Sequence, residues 1–363
     1  KGGKLELDGE ILGDPAAEFS GPLPLAIDIT PAVADQALAA GASAVVAYHP
    51  PLWSPIRRLT PDTPKGASLL RLLATGVAVY SPHTALDAAP GGVTDWLCDM
   101  LAEPGADPRA LGDRRPLSVH AQRDPNATHK IVTFVPADAA DRVRDALASV
   151  GAGRIGRYLQ CSFSSPGVGT FFGDDTTRPA VGEAGSLQTA DELRLEMVCP
   201  EAALALAVEM LRRFHPYEEP AFDIVPLAPK PRRDAGAGRR LTLDRPTDAQ
   251  TLARRLRENL GVDAVKLAAA SDEPVARVGV CPGAGAALLD AAVADGCTLF
   301  VTGEMRHHEA LDALARGCSV LLAGHTNTER GYLPHYAERI NSLLPDARAR
   351  TLDADRPIFR TLA

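Results

Sequence analysis

Ala44-Val45-Val46-Ala47-Tyr48-His49-Pro50-Pro51 is the stretch whose reading decides the fold. A run of small and β-branched apolar residues reads as a buried strand. The two prolines stop both a ladder and a helix, so His49 is presented at the strand's carboxyl end. Outward from it the same grammar repeats. Leu25-Ala26-Ile27-Asp28-Ile29 predicts a strand, residues 32–40 and 67–75 predict helices, Val77-Ala78-Val79-Tyr80 predicts another strand, and residues 94–101 a further helix. Strand and helix in alternation imply a mostly parallel or mixed sheet, which binds ligands at the carboxyl ends of its strands.

Three such strand ends carry metal-ligand chemistry. The first delivers His49. The second, ending Tyr80-Ser81-Pro82-His83, delivers His83 and then Asp87, and Gly91-Gly92 follows. The third, Val320-Leu321-Leu322-Ala323, runs into Gly324-His325-Thr326-Asn327-Thr328-Glu329. If the chain turns helical there, four-residue spacing puts His325 and Glu329 on one face, where an imidazole nitrogen and a carboxylate oxygen can share an ion. Taken singly, a histidine in such a place is more often a hydrogen-bonded structural residue, and His325 with Glu329 reads equally as a surface pair. Three successive strand ends bearing His, His with Asp, and His with Glu point to a shared site. That donor mix suits zinc, manganese or iron, at one or two ions per chain.

At 363 residues the chain is long enough for two domains. No apolar stretch reaches the ~18–20 residues of a membrane span. The start, Lys1-Gly2-Gly3-Lys4-Leu5-Glu6, lacks a secretory pattern, and it also lacks Met, so an upstream piece is expected. The six cysteines are scattered with no Cys-x-x-Cys, which fits a reducing cytoplasm and buried small side chains. A formal net charge of −8 argues against general nucleic-acid binding. The basic cluster Lys230, Arg232, Arg233, Arg239 and Arg240 lies in a Pro/Gly/Ala-rich stretch and reads as a solvated linker.

Between residues 126 and 230 the grammar changes to strand, helix and strand, twice over. This predicts an inserted ferredoxin-like α+β domain inside a core made of residues 1–125 and 231–363. The two outer blocks are expected to share one sheet. Cys281-Pro282-Gly283-Ala284-Gly285 follows a strand like a dinucleotide loop, but Leu288 replaces the third glycine, and a tight turn able to hold a substrate anion is the better reading. A Walker loop and a Gly-x-Ser-x-Gly elbow are both absent.

Tyr48-His49-Pro50-Pro51, His83-Thr84-Ala85-Leu86-Asp87, Thr302-Gly303-Glu304-Met305 and Gly324-His325 through Glu329-Arg330-Gly331 resemble, in this order, the NGG-interacting-factor-three-like family, also called GTP cyclohydrolase I type 2. The middle block resembles that family's insertion through Gly151–Gly156, Cys161-Ser162-Phe163 and His215-Pro216-Tyr217-Glu218-Glu219-Pro220. The resemblance implies a layered α/β core with a dinuclear divalent-metal site, a PII/CutA-like insertion and a toroidal homohexamer. It carries the metal ligands onto His49, Asp87, His325 and Glu329. Many members have a His-His pair where this chain has Tyr48-His49, which puts one of the two metal positions in question.

The expected activity is that of a metal-dependent hydrolase acting on a nucleotide-like or other small polar substrate, of the cyclohydrolase kind. His83 is the candidate proton carrier, with a structural or supporting duty as the alternative. A non-catalytic, metal-stabilised oligomeric scaffold is the competing expectation. His307 and His308, with Glu304 and Glu309, read as a solvated helix start near the site mouth, and His215 as part of a rigid turn.

Overall fold

The computed structural model describes residues 10–359 apart from 15, 17 and 123. The chain is a mixed α/β protein that divides into two compact units, one formed by residues before 121 and after 231, the other by residues 121–231.

The first unit contains a five-stranded and a six-stranded sheet. In the five-stranded sheet, Arg350–Thr351, Pro24–Ala26, Ala44–Ala47 and Ala78–Ser81 run parallel, and Glu10–Leu12 closes the edge antiparallel. In the six-stranded sheet, Val275–Cys281, Leu299–Thr302 and Ser319–Leu322 are the parallel centre. Lys266–Ala268 lies antiparallel on one side, and Arg239–Thr247 then Gly112–Arg115 on the other. The single sheet expected for the two outer blocks is thus two sheets. Each takes one strand from the other block, because Arg350–Thr351 pairs with Pro24–Ala26 and Gly112–Arg115 pairs with Arg239–Thr247. Hydrophobic alternation specifies a strand and its buried face; it does not specify which edge the strand joins.

Period-two alternation explains how the strand into His49 is held. Val45 and Ala47 face the helices Pro31–Ala39 and Pro64–Ala74, in a cluster with Val33, Leu69 and Leu72. Tyr48 points the other way, into the core shared with Trp96, Val278, Val301 and Leu321 of the second sheet and its neighbours. Each of those helices starts with a threonine cap followed by proline: Thr30 accepts from the Val33 N–H at 3.2 Å and Thr63 from that of Gly66 at 3.1 Å.

The second unit is one antiparallel sheet in the order Phe222–Pro226, His129–Val135, Leu187–Cys199, Phe163–Phe172. The helices Ala140–Ser149 and Leu204–Phe214 supply Val143, Leu147, Ala207 and Leu211 to a core with Ile131, Val135, Leu195 and Met197. His215 is buried there: its Nε2 is 3.0 Å from the Phe134 carbonyl and its Nδ1 accepts from the Tyr217 N–H at 3.1 Å, so it holds a turn. All six cysteines are free. Among the described residues no helix is long and apolar enough to cross a membrane.

Candidate metal centre

Each candidate ligand sits where a parallel strand has just ended. Beyond Ala47, the Tyr48 and His49 N–H groups still donate to the Ala26 and Ile27 carbonyls at 2.9 Å, which fixes the His49 backbone before Pro50 and Pro51 end the ladder. Beyond Leu322, the N–H of Ala323 donates to Thr302 at 3.1 Å and that of Gly324 to Gly303 at 2.8 Å, delivering His325 beside the neighbouring strand's end.

Past His325 the structure departs from the helix expected from the sequence. Two 3-10 turns, Thr326–Thr328 and Arg330–Tyr332, are interrupted at Glu329, whose φ is −129°. Thr328 is the cause: its hydroxyl donates to the His325 carbonyl at 2.6 Å and accepts from the Gly283 N–H at 2.9 Å, tightening the turn against the next loop. Glu329 still turns back towards His325.

The result is a compact donor group. His49, His325 and Glu329 each offer a ligand atom, and these atoms lie within 4.8 Å of one another. The Glu329 carboxylate, 3 % exposed, lies between the imidazoles, Oε2 at 3.4 Å from His49 Nε2 and Oε1 at 3.4 Å from His325 Nε2. Neither contact is a hydrogen bond, and Glu329 Oε2 is buried without a hydrogen-bond partner. The far ring nitrogens are both tethered: His49 Nδ1 is 3.0 Å from Asp28 Oδ1, and His325 Nδ1 is 2.9 Å from Glu304 Oε1. Carboxylates on Nδ1 turn each Nε2 lone pair inward, as ligand histidines require. Gly283, with φ of 61°, makes room: a Cβ there would stand 2.6 Å from Glu329 Oε1 and 3.2 Å from His325 Nε2. Buried orphan oxygen, oriented imidazoles and glycine wall all fit a divalent ion.

A sequence model described as Duf34/NIF3 (NGG1p interacting factor 3) matches residues 9–355. The chain belongs to the Duf34/NIF3 family. Among curated relatives, a protein of Halalkalibacterium halodurans named GTP cyclohydrolase 1 type 2 homolog is 32 % identical over 90 % of this chain and 84 % of its own length. One of the same name from Mycobacterium bovis is 37 % identical over 86 % and 79 %. Among solved structures, a Bacillus cereus protein related to NIF3 superposes with TM-score 0.65 at 27 % identity, over 99 % of this chain and 94 % of the other. A Staphylococcus aureus protein reaches 0.77 at 21 % identity, over 98 % and 92 %, a likeness of fold.

In this member of the Duf34/NIF3 family two predicted site residues lie apart from the three clustered donors. The Asp87 carboxylate is not in the group within 4.8 Å; its Oδ1 accepts a hydrogen bond from the Tyr48 hydroxyl at 2.5 Å. His83 contributes no donor to that group either, but its ring centroid is 6.0 Å from that of His49 and 5.1 Å from that of Trp53. It begins its short helix at φ 37°, a left-handed conformation costly for a non-glycine residue, held by its N–H donating to the Tyr48 carbonyl at 3.2 Å.

Carboxylates outnumber cations here. Burial pushes Asp87 up to about 7; the Tyr48 hydrogen bond opposes this and the Glu329 charge adds to it. For His49 burial is the largest influence and disfavours the charge, yet the Asp28 hydrogen bond and the Glu329 carboxylate outweigh it and lift the ring to about 9. Burial, with His49 and His325 nearby, holds His83 down at about 4, a neutral imidazole at neutral pH. Without a cation the cluster takes up protons, which is what a site shaped for positive charge does.

Three contributors escaped the sequence reading. Asp28 looked like a strand residue, Glu304 like part of a solvated helix start, and nothing in the sequence singled out Trp53. Trp53 is 64 % exposed with its ring against His49 and His83. Only Glu304 had a signal, in its Thr-Gly-Glu motif at a strand end. His307 and His308 are exposed at the start of the helix His307–Ala315, as expected.

Proposed function

We propose that His49, His325 and Glu329 hold a divalent metal ion, zinc, manganese or iron, and that the protein is a metal-dependent hydrolase of small polar substrates. The observation that carries this reading is the Glu329 carboxylate set between two inward-turned imidazoles with one oxygen unpartnered. Such an ion, when bound, supplies Lewis acidity and a water that loses its proton near neutral pH. The chain's own residues supply the rest. Asp28 and Glu304 orient the imidazoles, and His83, neutral and beside His49, is placed to accept and pass on a proton. Trp53 offers an exposed ring face on which a planar substrate can stack. That face, together with relatives named GTP cyclohydrolase 1 type 2 homolog, favours a purine nucleotide or a similar heterocycle and ring opening by water.

The strand order and pairing of the second unit support its reading as a ferredoxin-like, PII/CutA-like insertion, and a homohexamer in the cytoplasm is the assembly proposed with it. Elemental analysis of protein purified without added metal, beside a His325→Ala variant, tests the centre: equal trace metal in both defeats it. Turnover of nucleotides and phosphoesters with and without manganese tests the hydrolase. No turnover, combined with metal-dependent melting, would favour a metal-stabilised scaffold instead.

A further inference from the structure

We propose that the centre is built for a single ion and that Tyr48 is the residue that limits it to one. The inference rests on the metal reading above and concerns the neighbouring carboxylate. Asp87 is the partly buried carboxylate next to Tyr48, and a second ion would draw on it, yet its Oδ1 accepts the Tyr48 hydroxyl at 2.5 Å, which leaves it a single oxygen to offer. A phenol is a poorer cation ligand than an imidazole, and here its oxygen is engaged with the Asp87 carboxylate and not turned to a free position.

Tyr48 is also fixed in place. Its ring is 2 % exposed in a core with Ile27, Trp96 and Val301, and its N–H is in the strand ladder. Its carbonyl accepts from the Ser81 hydroxyl at 2.9 Å and from the His83 N–H at 3.2 Å, so backbone and ring are held from several sides. Releasing Asp87 would mean repacking the core around Tyr48 or leaving a partly buried carboxylate without its donor, at a cost on the order of 1–3 kcal/mol. Glu329 does not offer an easy substitute, because both its oxygens face the imidazoles of the first position. Three clustered donors therefore define one ion's site, and the Tyr48–Asp87 pair closes the place where a second would sit.

The test is metal stoichiometry. Wild-type protein and Tyr48→His are saturated with manganese, freed of excess ion and analysed for metal per chain. The expected result is one equivalent in the wild type and two in Tyr48→His, where an imidazole replaces the phenol beside Asp87. Two equivalents in the wild type overturn the inference, and so does a Tyr48→His protein that still takes one. No bound metal in the wild type would instead defeat the metal reading on which the inference stands. Should Tyr48→His fail to fold, the wild type alone decides: its manganese paramagnetic resonance spectrum should be that of an isolated ion, and a spin-coupled pair would refute the proposal.

Discussion

Removing metal should make the stability of this protein fall steeply as pH rises through the range where His49 loses its proton. The magnitude follows from the site. His49 is lifted from 6.5 to about 9 by Asp28 and Glu329 acting against burial. At 1.36 kcal/mol per tenfold change this corresponds to about 3 kcal/mol. Because the folded-state value lies above the unfolded one, the stabilisation is fully present below pH 6.5 and is lost as pH rises through about 9. Asp87, raised by burial to about 7, works in the same direction over the lower window that begins near 3.8. Melting of chelator-treated protein followed by circular dichroism should therefore show a decrease on the order of 3–6 °C between pH 6.5 and 9. With saturating manganese the decrease should shrink, since the cation takes the place of the proton at His49 Nε2. Asp28→Asn removes the largest influence raising the ring and should cut the metal-free decrease to roughly half. A melting temperature that is level or rising across this window in the metal-free wild type would refute the electrostatic account of the centre.

Other changes should have narrower effects. Glu304→Gln leaves His325 without its anionic partner and should weaken metal binding by roughly 10–100-fold with little change in circular dichroism, measured by competition with a chromogenic chelator. Gly283→Ala places a methyl group 2.6 Å from Glu329 Oε1 at a position with φ of 61°, so it should lower metal affinity at least as much. Arg239, expected from the sequence in a solvated linker, is instead fully buried at the start of a strand, bidentate to Asp95 at 2.7 and 3.1 Å and bonded to the carbonyls of Ala88 and Ala89 just past Asp87. Arg239→Met should cost about 3–5 kcal/mol in urea unfolding by stranding Asp95, and Asp95→Asn with Arg239→Met should recover part of that loss.

Sequence by itself determined the elements and the cast of residues. Alternating apolar runs, prolines after His49 and the periodicity of the intervening segments located the strands Ala44–Ala47 and Ser319–Leu322 and the helices Pro31–Ala39 and Pro64–Ala74 closely, because these signals are local. They also put His49, His325 and Glu329 at strand ends. Tertiary structure alone decided that the two outer blocks build two sheets and exchange strands, since edge pairing depends on segments hundreds of residues apart. It alone decided that Thr328, gripped by Gly283, breaks the expected helix at Glu329. The division of labour between the Glu329 and Asp87 carboxylates was also beyond one-dimensional reading. Glu329 is turned towards two imidazoles at 3.4 Å, and Asp87 towards a phenol that donates it a hydrogen bond, and these partners come together only in the folded chain.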